Sequence, residues 1–114
     1  MSAAQSPLRE ALAQRVRGIL SSQQDVREKS MFGVLSFMVD GRLAVAAGKD
    51  GSLLVRTDPA DYDDLLKRGG EPAYMSKDRL MGPGWLTVPS ARLEGDEELE
   101  WWVGVGLASK SSGS

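Results

Sequence analysis

The sequence lacks cysteine and histidine altogether. Without cysteine, the chain can form no disulfide and can carry out no thiol chemistry. Without histidine, it lacks the commonest general base and the commonest transition-metal ligand, which excludes serine–histidine triads, cysteine–histidine nucleophiles and zinc hydrolases. Walker A, Gly-x-Ser-x-Gly and EF-hand patterns are missing as well. We therefore expect a non-enzymatic protein with no catalytic residue, no cofactor and no bound metal.

Long apolar runs and an excess of charge are also missing. The longest apolar run falls far short of the roughly 20 residues that span a bilayer, and the N-terminus has no basic segment followed by an apolar core. We expect a cytoplasmic protein that does not contact membranes. The formal net charge of −2 gives no electrostatic support for nucleic-acid binding. The 114 residues predict one domain over 6–108, with flexible tails at 1–5 and 109–114.

The strongest local signal is a hairpin centred on Asp40 and Gly41. Asp-Gly supplies the two positive-φ positions of a type I′ turn, and an apolar run lies on each side of it. With a two-residue loop, Phe37 faces Ala44 and Leu35 faces Ala46. One face of the sheet then carries Leu35, Phe37 and Val39, and the other carries Val34, Met38, Leu43 and Val45. Since both faces are apolar, we expect helices, loops or a second chain to cover both.

The segments around this hairpin predict further helices and strands. A first helix, starting at Pro7, has one apolar stripe made of Leu8, Leu12, Val16, Ile19 and Leu20. Its arginines lie off that stripe and predict a solvated face; they are Arg9, Arg15 and Arg17. A strand over 26–32 precedes Gly33, where we expect a tight turn or a bulge. A second Asp-Gly pair at 50–51 precedes a strand over 53–56.

The second half of the chain predicts two more helices and one more strand. Asp58 and Pro59 begin a helix that ends at Gly69, 71–83 is an ordered loop, and 85–88 is a strand. The acidic residues near this helix start suggest either a cation site or a helix N-terminus stabilised by its macrodipole, and we favour the second. Together the elements predict an α+β domain: a central antiparallel β-meander with flanking helices, in the order α-β-β-β-β-α-β-α.

The last helix, which begins at Asp96, is apolar on two sides. At 100° per residue, the core side contains Leu99, Trp102, Val103, Gly106 and Leu107. The opposite side contains Trp101, Val105 and Ala108, which are our candidate interface residues. Either the loop at 71–83 covers this second side or Trp101 belongs to an interface. Gly104 and Gly106 weaken a helix, so we expect close packing against a neighbour there.

One ordered set of motifs resembles a known family. Met31-Phe32-Gly33 is followed by Phe37-Met38-Val39-Asp40-Gly41, and later by Gly82 and Trp85. This order resembles the TfoX N-terminal domain family, from about residue 8 to residue 107. The resemblance implies an α+β domain without catalytic residues and a link to the TfoX/Sxy regulators of natural competence, which act in transcription with the cyclic-AMP receptor protein. Those regulators have a second, helical domain, and Val34 stands where the family often has a second glycine.

Two functional hypotheses follow. The first is a regulatory module that works by association with a partner protein or with a second copy, because Trp101 and the two-sided apolar sheet indicate a buried surface. The second is nucleic-acid binding, suggested by the family link and by scattered basic residues. The candidate nucleic-acid contacts are Arg15, Arg17, Arg27, Lys29 and Arg42. In both hypotheses the family motif residues Met31, Phe32 and Gly33 shape the sheet.

Overall fold

The computed structural model describes residues 7–31, 33–76, 79–80, 82 and 84–108. These residues form the helices α1 (Pro7–Ile19), α2 (Tyr62–Arg68) and α3 (Asp96–Ala108). They also form the strands β1 (Val26–Met31), β2 (Val34–Val39), β3 (Arg42–Ala47), β4 (Leu53–Arg56), β5 (Glu71–Pro72), β6 (Tyr74–Ser76), β7 (Arg79–Leu80) and β8 (Trp85–Val88). Phe32 and the predicted tails at 1–5 and 109–114 lie outside the described residues.

Six strands form one antiparallel sheet in the order β1-β2-β3-β4-β8-β5. Since β1 to β4 are neighbours both along the chain and in the sheet, the predicted meander and the α+β class are confirmed. The segment predicted as a loop over 71–83 contains extended residues instead: β5 pairs with β8, and β6 pairs with β7. Pro72 is tolerated in β5 because this strand lies at the sheet edge, where one side makes no ladder hydrogen bonds.

The turns at each end of β2 depend on positive backbone φ. Asp40 and Gly41 have φ of 55° and 81°, which confirms the type I′ turn between β2 and β3. Gly33 has φ of 84° and lies in a tight turn between β1 and β2, where Met31 pairs with Val34. Of the two structures considered for Gly33, a turn or a bulge, the chain adopts the turn.

Arg9 anchors α1 to this turn. Its Nη1 donates a hydrogen bond to the carbonyl oxygen of Gly33 at 2.9 Å, and the residue is only 7% exposed. The predicted solvated position of Arg9 is therefore wrong, because the guanidinium has a backbone acceptor inside the fold. The predicted burial of Leu8 is also wrong: it is 57% exposed, at the first turn of the helix.

A β-bulge corrects the predicted register of the central hairpin. Next to the turn, Val39 pairs with Arg42 and Met38 with Leu43, as a two-residue loop requires, but Phe37 then pairs with Val45 and Leu35 pairs with Ala47. Ala44 is the extra residue on β3, so the predicted partners of Phe37 and Leu35 are wrong by one position. The bulge also moves Val45 from the predicted opposite face onto the same face as Phe37, and both side chains are fully buried.

The helices pack together on one face of the sheet. The hydrophobic core joins that face to all three helices, and its members from the helices are Leu12, Ala13, Val16, Leu65, Leu99, Trp102 and Val103. The predicted core side of α3 is thereby confirmed, with Leu107 only partly buried. On the other face, the paired residues Ser36 and Ala46 are 1% and 0% exposed, but Val34, Met38, Leu43 and Leu54 are only partly buried. The expected cover on this face is therefore incomplete among the described residues. No described helix has the length and apolar character needed to cross a membrane.

The two glycines of α3 have different surroundings. A Cβ atom added to Gly106 would lie 2.5 Å from the carbonyl oxygen of Ala44, at the bulge of β3. A Cβ atom added to Gly104 would meet nothing within 4 Å. Close packing is therefore confirmed at Gly106, where it lets α3 approach the sheet backbone, and the same prediction is wrong for Gly104.

Candidate interaction groove between α2 and α3

Local backbone chemistry fixes α2 beside α3. Asp58 accepts a hydrogen bond from the Ala60 N–H at 3.0 Å and caps the 3-10 turn that leads into α2. The helix ends at Arg68 and is followed by Gly69, whose φ of 126° suits glycine. A Cβ atom added to Gly70 would lie 3.3 Å from Trp102, so the chain leaves α2 in close contact with the core side of α3.

Trp102, which is hydrogen-bonded to Glu98, packs against the neighbouring Trp101. Trp102 is fully buried, and its indole N–H donates to Oε2 of Glu98 at 2.9 Å. The rings of Trp101 and Trp102 pack edge to face, with centroids 4.9 Å apart and an interplanar angle of 89°. Trp101 remains 38% exposed and faces the space between the two helices. An aromatic side chain is thus presented to solvent on a rigid support.

This space is a groove with a volume of about 380 Å³. We call it the Trp101 groove, and its lining residues are Asp58, Asp61, Asp64, Leu65, Arg68, Trp101, Val105 and Ala108. The three candidate interface residues predicted from the period of α3 therefore lie together in one groove. Residues of α2 form its other wall, a neighbour for this side of α3 that the sequence analysis did not consider.

The groove combines an apolar floor with a charged rim. Leu65, Trp101, Val105 and Ala108 supply the apolar surface, and the described residues of the rim have three carboxylates and one guanidinium. The carbon Cζ of Arg68 lies 3.6 Å from the centroid of the Trp101 ring, a cation–π contact. The same guanidinium lies 4.0 Å from Oε1 of Glu98. Among the described residues, no group of three or more carboxylates is arranged to hold a metal ion.

Sequence reasoning missed the α2 wall of the groove. Asp64, Leu65 and Arg68 follow the helical spacing of three and four, which places them on one side of α2, and Asp61 lies one turn earlier, just before the helix. This spacing indicates that the side chains lie close together. It does not reveal that this side faces Trp101, because that depends on the packing of two helices distant in sequence.

The structure does not bring the candidate nucleic-acid contacts into one patch. Arg15 pairs with Asp96 at 3.0 Å, and Arg17 donates to both carboxylate oxygens of Glu28 at 2.7 and 2.9 Å. This double hydrogen bond lowers the pKa of Glu28 and raises that of Arg17. Of the other candidate contacts, Arg27 has its Nε 3.6 Å from Oδ1 of Asp25, and Lys29 and Arg42 are exposed. Arg27 and Lys29 point to the face opposite the helices, since they pair with Met38 and Ser36.

The family motif residues build turns and strand ends. Met31 ends β1, and Gly33, Asp40 and Gly41 adopt the positive φ values of the two hairpin turns. Gly82 has φ of 102°, and its carbonyl oxygen accepts a hydrogen bond from the N–H of Trp85 at 3.2 Å. Trp85 lies under the guanidinium of Arg56, whose Cζ is 5.5 Å from the ring centroid. None of these described residues lines the Trp101 groove.

Comparisons with known proteins agree with the fold. A search of curated proteins found no match to the chain. Residues 18–109 match the TfoX N-terminal domain family, a span that begins within α1 and includes every strand of the sheet. The helices, the meander and the turn motifs described above all fall within or next to this span. The chain belongs to the TfoX N-terminal domain family.

Proposed function

We propose that this domain is a non-enzymatic regulatory module that works by protein–protein association, and that the Trp101 groove is its docking surface. The occupant is a segment of a partner protein that presents apolar side chains to the floor and positive charge to the rim. The observation that carries the proposal is a partly exposed tryptophan, packed against a buried neighbour, that lines a groove with an apolar floor.

Charge complementarity supports this choice of occupant. Asp58, Asp61 and Asp64 line one groove, and Arg68 is the lining residue of opposite charge. A partner segment with arginine or lysine beside apolar residues would gain both burial and favourable charge pairs. An acidic segment would meet repulsion at the same rim.

The test uses an 18-residue amphipathic peptide with leucines on one face and arginines on the other, titrated into the protein by calorimetry. We expect binding that weakens at least tenfold in Trp101→Ser, since the anchoring aromatic surface is removed. Tyr74→Ser is the matched control, because Tyr74 is an exposed aromatic residue outside the groove. Equal binding by the wild type and Trp101→Ser would contradict the proposal.

Two further measurements complete the design. If Trp101→Ser loses its fold by circular dichroism, Asp64→Asn replaces it, with the exposed Asp63→Asn on the same helix as control. Light scattering of the protein alone identifies a different occupant. A dimer that dissociates in Trp101→Ser would make a second copy the partner and overturn the assignment to a foreign segment.

The nucleic-acid hypothesis has weaker support. Arg15 and Arg17 are engaged by carboxylates, and the remaining candidate residues lie elsewhere on the fold. Phosphate contacts need several cations directed at one surface. We therefore propose protein association as the function and do not propose nucleic-acid binding.

A further inference from the structure

The position of Arg68 within the Trp101 groove suggests what the partner presents there. We infer that Arg68 occupies a subsite for an arginine side chain of the partner, and that the partner's guanidinium displaces it from the face of Trp101. This inference rests on the proposed function of the groove. Beyond that function, it specifies that one partner side chain is arginine and that Arg68 of the domain competes with this side chain for Trp101.

The subsite has the chemistry that a guanidinium requires. A planar, weakly hydrated guanidinium stacks on an indole ring better than a compact ammonium group does. Arg68 already adopts this geometry, 3.6 Å from the ring centroid. Asp61 and Asp64 line the same groove and supply carboxylate acceptors near the site.

Glu98 is already oriented for the exchange. Its Oε2 accepts the buried indole N–H of Trp102 at 2.9 Å, which fixes the carboxylate whether or not Arg68 is present. Its Oε1 lies 4.0 Å from Nη2 of Arg68, the outer limit of an ion pair. Glu98 and Arg68 line a second cleft, whereas Glu98 is not among the described residues that line the Trp101 groove. When a partner guanidinium takes the face of Trp101, Arg68 therefore keeps Glu98 as an acceptor outside the groove.

Arg68 itself is free to move away from the ring. It is the last residue of α2, and its side chain is 45% exposed. A long, exposed side chain at a helix end changes rotamer readily, and its ion pair with Glu98 is exposed to solvent and salt. Arg68 thus acts as an internal competitor that stacks on one face of Trp101 until an arginine from a partner replaces it.

The test compares two peptides that differ only in carrying arginine or lysine on the polar face. Calorimetric titrations use the wild type, Arg68→Ala and Lys67→Ala, where Lys67 is the exposed neighbour on the same helix and controls for the loss of one positive charge. We expect Arg68→Ala to bind the arginine peptide about threefold to tenfold more tightly, as expected for release of one cation–π contact. Lys67→Ala should change the affinity less than twofold.

Peptide chemistry and the tryptophan variant separate the two proposals. The gain in Arg68→Ala should be smaller for the lysine peptide than for the arginine peptide. If Arg68→Ala binds the arginine peptide no more tightly than the wild type does, while Trp101→Ser still loses binding, the inference about Arg68 is wrong and the proposed function stands. If no variant and no peptide shows binding that depends on Trp101, both are overturned.

Discussion

At the scale of single residues, Arg9 carries the clearest structural prediction. Its guanidinium is buried and donates to the Gly33 carbonyl at the turn before the central hairpin. Replacing it with alanine removes a charged donor and leaves that acceptor without this partner. We expect Arg9→Ala to lower the free energy of unfolding by roughly 1.5–3 kcal/mol. Chemical denaturation with urea measures the change directly.

Arg15→Ala is the matched control on the same helix. Arg15 is partly exposed and pairs with the exposed carboxylate of Asp96. Exposed pairs contribute little, so this substitution should cost no more than about 1 kcal/mol. Equal losses of stability in Arg9→Ala and Arg15→Ala would show that the contact with Gly33 has no special role.

These residues also show where sequence reasoning succeeds. Asp40 and Gly41 were predicted because the backbone conformation of a two-residue hairpin turn depends on local sterics alone. The burial of Arg9 was not predicted, because this residue lies off the apolar stripe of the helix and its acceptor is 24 residues away in the chain. The burial of a charged side chain depends on a partner that only the folded structure supplies.

At the scale of elements, the two glycines of α3 make opposite predictions. Alanine at 104 should stabilise the protein by up to about 1 kcal/mol, since it favours the helix and meets nothing within 4 Å. Alanine at 106 should destabilise it by roughly 1–3 kcal/mol, because its methyl group would displace the backbone of β3 at Ala44. Urea denaturation of both variants tests the pair, and stabilisation by both would contradict the close approach.

The ion pair between Arg17 of α1 and Glu28 of β1 predicts how the stability of the fold depends on pH. Arg17 lowers the pKa of Glu28 in the folded protein, so the pair stabilises the fold above the ordinary titration range of the carboxyl group. That contribution is lost as pH falls through the lowered pKa. We expect Glu28→Gln to be less stable than the wild type at pH 7 by at most about 1 kcal/mol, since the pair is partly exposed.

The difference in stability between Glu28→Gln and the wild type should shrink as pH falls through the lowered pKa of Glu28, because the protonated carboxyl group no longer carries the charge that pairs with Arg17. Glu71→Gln, at an exposed position of the edge strand β5, serves as the control. A stability difference that is the same at pH 7 and pH 3 would contradict the assignment. Thermal unfolding across this pH range supplies the measurement.

The elements differ in how far the sequence predicts them. The meander and α2 follow from local signals: two Asp-Gly turns, the Asp58 cap and the glycine end of the helix. The bulge at Ala44 does not follow from local signals, since the apolar run in β3 is compatible with either register. Packing in the core determines the register, because the bulge directs Val45 toward the helices. Strand β5 is two residues long and depends on pairing with β8.

At the scale of the whole molecule, charge and apolar surface coincide at one place. The formal net charge is only −2, yet three carboxylates line the groove that also exposes Trp101. The α3 half of this site was predicted from helical periodicity, because Trp101, Val105 and Ala108 share one side of a long helix. The α2 half was not predicted, since no pattern within α2 indicates which helix it faces in the fold.

The most direct test of the groove as a docking surface is nuclear magnetic resonance of the labelled domain during titration with the leucine–arginine peptide. We expect saturable shifts of the amide signals of residues 58–68 and 101–108 and of the Trp101 indole N–H. The signals of β1 should not move. Shifts confined to the basic residues of β1 and α1, or no saturable shift at all, would contradict the account.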